Sequence, residues 1–310
     1  MTNTHIRTAL IIGCNGTFGS STGQELLKQG WRVKALVRNK NKQPDWLNAE
    51  DVVIGNCEQL QDVTLAATDV DLIVYAANPL YHQWHKKAMK MLEPTVQVAE
   101  KRKLHILFPG NVYGYNPLTT PMIDENSPTD AVTDKGQIRN KMEQRLKRAS
   151  VNGATVTLIR AGDFIAKGAD SSWINHMLSK RKNGWTLANP SPEGHKHNYA
   201  YLPDLAANAV ALIDIDKSGY NEWNEPGVVA SHQDWLSALT LLGLNIKSTT
   251  LPWWAFKLLG LVLPPVREAV KMRYLWQQPL LLDGKKMRAA LGEKYSSTPL
   301  VDISRVLTGE

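Results

Sequence analysis

The run Ala9-Leu10-Ile11-Ile12-Gly13-Cys14-Asn15-Gly16-Thr17-Phe18-Gly19 decides how the rest of the chain is read. Four apolar residues give way to three glycines spaced three apart, and a helical pattern, Phe18–Gln29, follows at once. Each glycine has a physical reason to be there. Gly13 allows a tight turn, Gly16 lets a pyrophosphate approach the backbone, and Gly19 lets the helix pack closely on the strand. The helix then presents free N–H groups and the positive end of its dipole to the phosphates. Because the triplet leaves a strand and opens a helix near the N-terminus, it predicts a dinucleotide site, and Asn15 lies inside the turn.

Outward from that turn, short β-branched runs alternate with longer helical patterns. Strands are expected at Ala9–Ile12, Arg32–Val37, Val52–Ile54, Leu72–Ala76, Ile106–Phe108 and Val156–Ile159. Helices are expected at Phe18–Gln29, Pro79–Lys101 and Lys135–Ala149. Several strands are apolar throughout, as strands covered on both faces are. The pattern predicts an α/β fold, a doubly wound parallel sheet of Rossmann type, over residues 1–165. Beyond it, Gly, Pro, Asn and His gather between Asn183 and Asn198, and helices are expected from Pro203 to Ile213 and from Gln233 to Leu242. Residues 166–310 read mainly as a smaller substrate-binding lid of short helices, with 198–230 returning to the first domain.

Composition narrows the function classes. The 310 residues carry 36 Lys plus Arg against 29 Asp plus Glu, a net charge of +7 that favours anionic small ligands. The basic residues are scattered without interleaved aromatics, so no nucleic-acid partner is expected. Cys14 and Cys57 are the only cysteines and lack ligand spacing, so neither a disulfide framework nor a metal site is expected. Cys14, at a helix start, is expected to have thiolate character or else to be a small buried filler. The longest apolar stretch, Leu258–Pro265, falls far short of the roughly 20 residues of a membrane span, so no membrane partner is expected and a cytoplasmic location is. A small-molecule substrate is the expected partner.

At the end of the second strand, an acidic residue would suit the ribose hydroxyls of NAD, whereas a basic one suits the extra phosphate of NADP. The chain has Val37-Arg38-Asn39-Lys40 there, so NADP is the expected cofactor, NAD the second choice, and Arg38 the discriminating residue.

Further motifs follow in order: Tyr75-Ala76-Ala77-Asn78, Asn111-Val112-Tyr113-Gly114, Arg160 closing a later strand, Tyr201-Leu202-Pro203-Asp204-Leu205-Ala206, Leu282-Asp283-Gly284 and Leu291-Gly292. Together they resemble the NAD-dependent epimerase/dehydratase family of the short-chain dehydrogenase/reductase superfamily, in its extended or atypical form, over nearly the whole chain. The resemblance implies that Gly13, Gly16 and Gly19 bind the diphosphate, with Thr17 and Phe18 donating backbone N–H groups. It further implies that Asn56 and Cys57 hold the adenine and that Ala76, Ala77 and Asn78 line the cofactor. A homodimer built on the helices Pro79–Lys101 and Lys135–Ala149 is implied in the same way.

The departures are informative. Where the family carries Tyr-x-x-x-Lys, the matching segment here is Lys135-Gly136-Gln137-Ile138-Arg139, and no Ser or Thr stands in Phe108-Pro109-Gly110-Asn111. Arg139 is expected to hold the nicotinamide ribose, but its permanent charge disqualifies it as a proton donor. The candidate donors are Lys135, Tyr113 and His197, in that order. Asn111, Asp163 and His195 are the expected substrate contacts, Asp163 at the place where nucleotide-sugar epimerases of the family keep an Asn. A carboxylate beside a pyrophosphate is repulsive unless paired, for instance by Arg160. Trp84 and Trp173 are expected to face the cleft, and most of the other tryptophans to pack in the lid core.

The expected activity is therefore that of an NAD(P)-binding oxidoreductase or epimerase-like enzyme lacking the usual Tyr-x-x-x-Lys pair. The alternative is a catalytically silent NADP(H)-binding redox sensor.

Overall fold

The computed structural model describes residues 6–167 and 172–310. The chain begins β1 (Thr8–Ile12), α1 (Thr17–Lys28), β2 (Arg32–Val37), β3 (Val52–Ile54), α2 (Leu60–Ala66), β4 (Leu72–Tyr75), α3 (Trp84–Arg102), β5 (His105–Gly110), β6 (Met122–Ile123), α4 (Asp134–Val151) and β7 (Thr155–Ala161). It continues β8 (Asp163–Ile165), α5 (Trp173–Met177), β9 (Leu178–Arg181), β10 (Gly184–Asn189), β11 (Lys196–Tyr201), α6 (Leu202–Ile213), β12 (Tyr220–Glu225), β13 (Val228–Ser231), α7 (His232–Leu241) and β14 (Ile246–Thr250). The last elements are α8 (Trp253–Gly260), α9 (Pro264–Lys271), α10 (Tyr274–Gln277), β15 (Leu281–Leu282), α11 (Lys285–Leu291) and α12 (Leu300–Thr308).

Seven strands form one parallel sheet in the order β12-β7-β5-β4-β1-β2-β3. Every residue of β1 is buried, as a central strand covered on both faces requires. Ile11, Val33 and Val74 join Leu205 and Ala209 of α6 in the core on one face. Leu10, Ile73 and Ile106 meet Leu92 of α3 and Leu146 of α4 in the core on the other. The chain leaves β3 at one edge and crosses to β4 on the far side of β1, so the carboxyl ends of β1 and β4 make a topological switch point, where such sheets open a crevice.

Three expectations are corrected. The helix expected from Pro79 begins only at Trp84, after a single 3-10 turn at Tyr81–Gln83. Pro79 biases Asn78 away from helical geometry, and the Trp84 indole N–H donates to the Pro79 carbonyl at 2.9 Å, which folds this segment back as a loop. A short helix, α2, fills the β3–β4 connection where none was expected. The second half has strands as well as helices: β14-β10-β9, β13-β11-β8 and β15-β6 form small sheets, while β12 extends the main sheet. Trp235, Trp253 and Trp276 pack with Tyr199 as the core of this region.

Candidate functional site

The phosphate-binding turn is built as its spacing requires. Gly13 has φ +97°, and a Cβ there would lie 2.5 Å from the Ala76 carbonyl carbon, so β1 and β4 could not meet at the switch point with any side chain present. A Cβ on Gly19 would lie 2.4 Å from the Gly13 oxygen, which fixes how closely α1 seats on β1. Gly16 meets no atom closer than 3.3 Å and opens on the groove. It precedes α1 without a side-chain cap, leaving the first-turn N–H groups from Thr17 onward without intrahelical acceptors. Such a cradle of open backbone and unpaired donors fits a diphosphate.

Two clefts meet at this turn and share Gly16, Ala76, Ala77 and Asn78. The larger, about 690 Å³, runs under the end of β2 and includes Arg38, Lys42, Asn56, Cys57 and Glu58. Its one acidic side chain, Glu58, is 2.9 Å from Lys90. The Asn15 amide donates to the Lys42 carbonyl at 2.8 Å, tying the glycine turn to the β2–β3 loop, and the Asn56 N–H donates to Asp62 of α2 at 2.7 Å. Cys57 is half-buried, and burial, reinforced by the Glu58 charge, pushes its thiol up. Cys14 is 1% exposed and burial pushes its thiol up as well, which overturns the expectation of thiolate character at this helix start.

The second cleft, about 240 Å³, is the one facing the lid. Trp84, Phe108, Phe164 and Trp173 give it an aromatic wall, as expected for Trp84 and Trp173. At its base the hydroxyls of Tyr81 and Tyr113 lie 2.8 Å apart. Burial pushes both phenols up, Tyr113 well above the usual range, while the Arg139 charge works in the opposite direction on each. Arg139 lies between Trp84 and Phe108, 5.0 and 5.2 Å from their ring centres. Its Nη1 reaches the Pro109 carbonyl at 3.4 Å, and its Nε is buried without a partner among the described residues. Burial lowers its pKa. Asn111 also lines this cleft, its side-chain oxygen accepting from the Tyr113 N–H at 3.0 Å and its carbonyl from Arg160 at 2.7 Å.

Lys135 does not line either cleft. It is buried at the α4–α9 contact, where it forms an ion pair with Glu268 and sits 5.4 Å from the Tyr81 ring centre. It is thus not placed at the cleft as the candidate donor expected from the sequence. Asp163 does line the cleft, and its partner is His197, whose Nε2 is 2.6 Å from Oδ2. The pairing with Arg160 is overturned: that guanidinium is buried against Glu143 and Glu222. His197 stands behind Asp163, stacked on Trp276 at 4.0 Å. His195, just before β11, and His197 and Tyr199 within it line a small pocket apart from the cleft, so His195 is not brought to the substrate side. Sequence reasoning misses Tyr81, because a helix starting at Pro79 would not deliver it to the cleft. The Asn78-Pro79 pair is the available signal for a loop.

The NAD(P)H-binding family matches residues 13–168, a segment that runs from the first glycine of the turn to the end of the Rossmann half. The chain belongs to the NAD(P)H-binding family. No curated protein matches this family member in sequence. Among solved structures it is similar to the L-threonine dehydrogenase of Clostridium difficile, at 17% identity and a TM-score of 0.74, with 98% of each chain covered. It is also similar to Bordetella bronchiseptica WbmH in complex with NAD+, at 16% identity and a TM-score of 0.70, again with 98% of each chain covered. The UDP-glucose 4-epimerase of Thermus thermophilus, in complex with NAD, matches at 14% identity and a TM-score of 0.68, over 97% of this chain and 98% of that one. The fold of this NAD(P)H-binding protein is therefore the one these three solved structures share. Among the described residues no helix is long and apolar enough to cross a membrane, and no cluster of His, Cys, Asp and Glu is arranged to hold a metal.

Proposed function

We propose that the protein is an NADPH-preferring oxidoreductase that reduces the carbonyl group of a small apolar or planar substrate, with Tyr113 as proton donor and Tyr81 behind it. The observation that carries this reading is the 2.8 Å phenol pair in the lid-side cleft, next to residues shared with the phosphate groove. When bound, the reduced cofactor supplies a hydride to the carbonyl carbon. The Tyr113 hydroxyl then gives its proton to the carbonyl oxygen, and the Tyr81 hydroxyl turns to donate to the phenolate left on Tyr113. A phenol kept neutral by burial is suited to this direction, since an alkoxide is the stronger base. The Arg139 charge stabilises the phenolate, and the aromatic wall excludes water, which strengthens that interaction. Asp163, held by His197, is placed to accept a hydrogen bond from a substrate hydroxyl or amide.

NADPH is preferred because the larger cleft offers Arg38 and Lys42 to a ribose phosphate, while its carboxylate, Glu58, is already paired. The test has two arms. Thermal-shift titration should show NADPH at about 100 times its dissociation constant adding roughly 2.7 kcal/mol of stability, with Arg38→Ala losing the preference over NADH. Turnover with a panel of aldehydes and ketones should consume NADPH, and Tyr113→Phe should cut kcat/KM by about 10²- to 10⁴-fold. Cofactor binding without turnover on any carbonyl would instead favour the redox-sensor reading, because the proton donor would then have no task.

A further inference from the structure

The apolar run Leu258–Pro265, too short to span a bilayer, is the turn of a helical hairpin. α8 (Trp253–Gly260) and α9 (Pro264–Lys271) pack closely: a Cβ on Gly260 would lie 3.0 Å from the Arg267 Cα. The base of the hairpin is anchored. Trp253 is buried with its indole N–H on the Pro190 carbonyl at 2.8 Å, and Glu268 is buried on Lys135. The opposite face is apolar and open, with Trp254 70%, Leu258 60%, Leu261 76% and Val262 78% exposed and Leu259 and Leu263 beside them. A surface hairpin ordinarily turns polar residues outward, so this face is inverted, and a contiguous apolar patch of this kind marks an interaction site.

The flanking charges identify the occupant. From Trp253 to Gln277 the chain has Lys257, Arg267, Lys271 and Arg273 against a single acid, Glu268, which is consumed by Lys135 and Lys271. Leucines and Val262 at a tip, a tryptophan at their edge and the exposed cations Lys257, Arg267 and Lys271 around them match the layers of an anionic membrane surface: acyl chains, interface and headgroups. A protein groove would satisfy the apolar tip but gives no reason for an almost purely cationic collar. We propose that the α8–α9 hairpin docks the protein peripherally on an anionic lipid bilayer. This departs from the expectation of no membrane partner, which rested only on the absence of a span-length apolar run. The hairpin also borders the site, since α9 packs against the Tyr81–Gln83 turn whose Tyr81 lines the lid-side cleft. Docking therefore brings the cleft to the bilayer surface, and it stands or falls independently of the proposed reduction.

The test is flotation of the full chain with phosphatidylcholine vesicles, with and without phosphatidylserine. The wild-type protein should float with the phosphatidylserine vesicles at low salt and much less with neutral ones. Leu258→Asp combined with Leu261→Asp should abolish flotation while retaining the wild-type melting curve and its stabilisation by NADPH. Lys257→Gln and Arg267→Gln should each weaken partitioning about fivefold. The proposal is overturned if the wild type floats with neither vesicle, or if the aspartate variant floats as well as the wild type. It is equally overturned if light scattering shows a wild-type dimer that the aspartate variant splits and neither form floats, because a second copy then covers the patch.

Discussion

Tyr113 and Tyr81 share a hydrogen bond of 2.8 Å between their hydroxyls although they belong to different loops, one after β5 and one before α3. Trp84 holds the pair, 5.5 Å from the Tyr81 ring and 6.3 Å from the Tyr113 ring, and so connects the start of α3 with the cleft.

Because burial raises both phenols, the proton-donating form persists at and above pH 10. The reduction rate should therefore stay level from neutral pH to about pH 10. Turnover that survives Tyr113→Phe but is lost in His197→Gln would transfer the donor role to His197. Tyr81→Phe should cost less than Tyr113→Phe, since it removes only the second donor.

Lys135→Met should act on stability rather than on chemistry. It removes one cation from the buried Glu268 carboxylate but leaves Lys271 at 2.8 Å. A loss of about 2 kcal/mol is expected, below the ~3–5 kcal/mol of a buried ion stripped of its only partner. Urea unfolding measures it. A fully stable variant that has lost turnover would restore Lys135 as proton donor.

Cys57 should be alkylated and Cys14 spared. Cys57 is half-buried in the groove, whereas Cys14 is 1% exposed, and both thiols are raised by burial. Labelling of Cys57 should quicken as pH rises and slow when NADPH is present, as peptide mass spectrometry would reveal. Labelling at a rate indifferent to NADPH would remove Cys57 from the cofactor contacts.

His105 should make the fold acid-sensitive. Burial, assisted by the Lys217 charge, pulls its pKa down to about 4, and its Nε2 lies 2.8 Å from Thr157 Oγ1. In the unfolded chain it titrates near 6.5, so the unfolded state binds the proton first as pH falls. The associated stability is intact above about pH 6.5, declines between there and about pH 4, and is gone below that. It amounts to about 3 kcal/mol. Unfolding at pH 7 and pH 4.5 should show a smaller acid loss for His105→Gln than for the wild type.

Local physics made much of this readable in advance. Six of the seven strands of the main sheet announce themselves because burial on both faces demands apolar runs such as Ala9–Ile12, whereas β12 is a mostly polar run that joins the sheet at its edge. The glycine turn announces itself because only Gly tolerates φ +97° at Gly13 and the close approaches at Gly13 and Gly19. Arg38 at the end of β2 and Trp84 and Trp173 at the cleft were legible for the same reason: their places follow from where a strand or a motif loop ends. The small strands of the second half were less legible. β8 and β15 are three and two residues long, too short for a periodic signal, and exist through pairing with distant segments.

The sequence by itself determined a doubly wound α/β fold and a dinucleotide turn. Only the tertiary structure decided which side chains meet. Lys135 finds Glu268 across 133 residues, Asp163 finds His197 across 34, and Tyr81 finds Tyr113 across 32. Propensity and periodicity act over one or two turns of chain, whereas each of these contacts depends on how separate elements are packed against one another. The open face of α8 and α9 belongs with them: its residues are an ordinary apolar run until packing shows that Trp253 and Glu268 take the inside and leave Leu261 and Val262 to the outside.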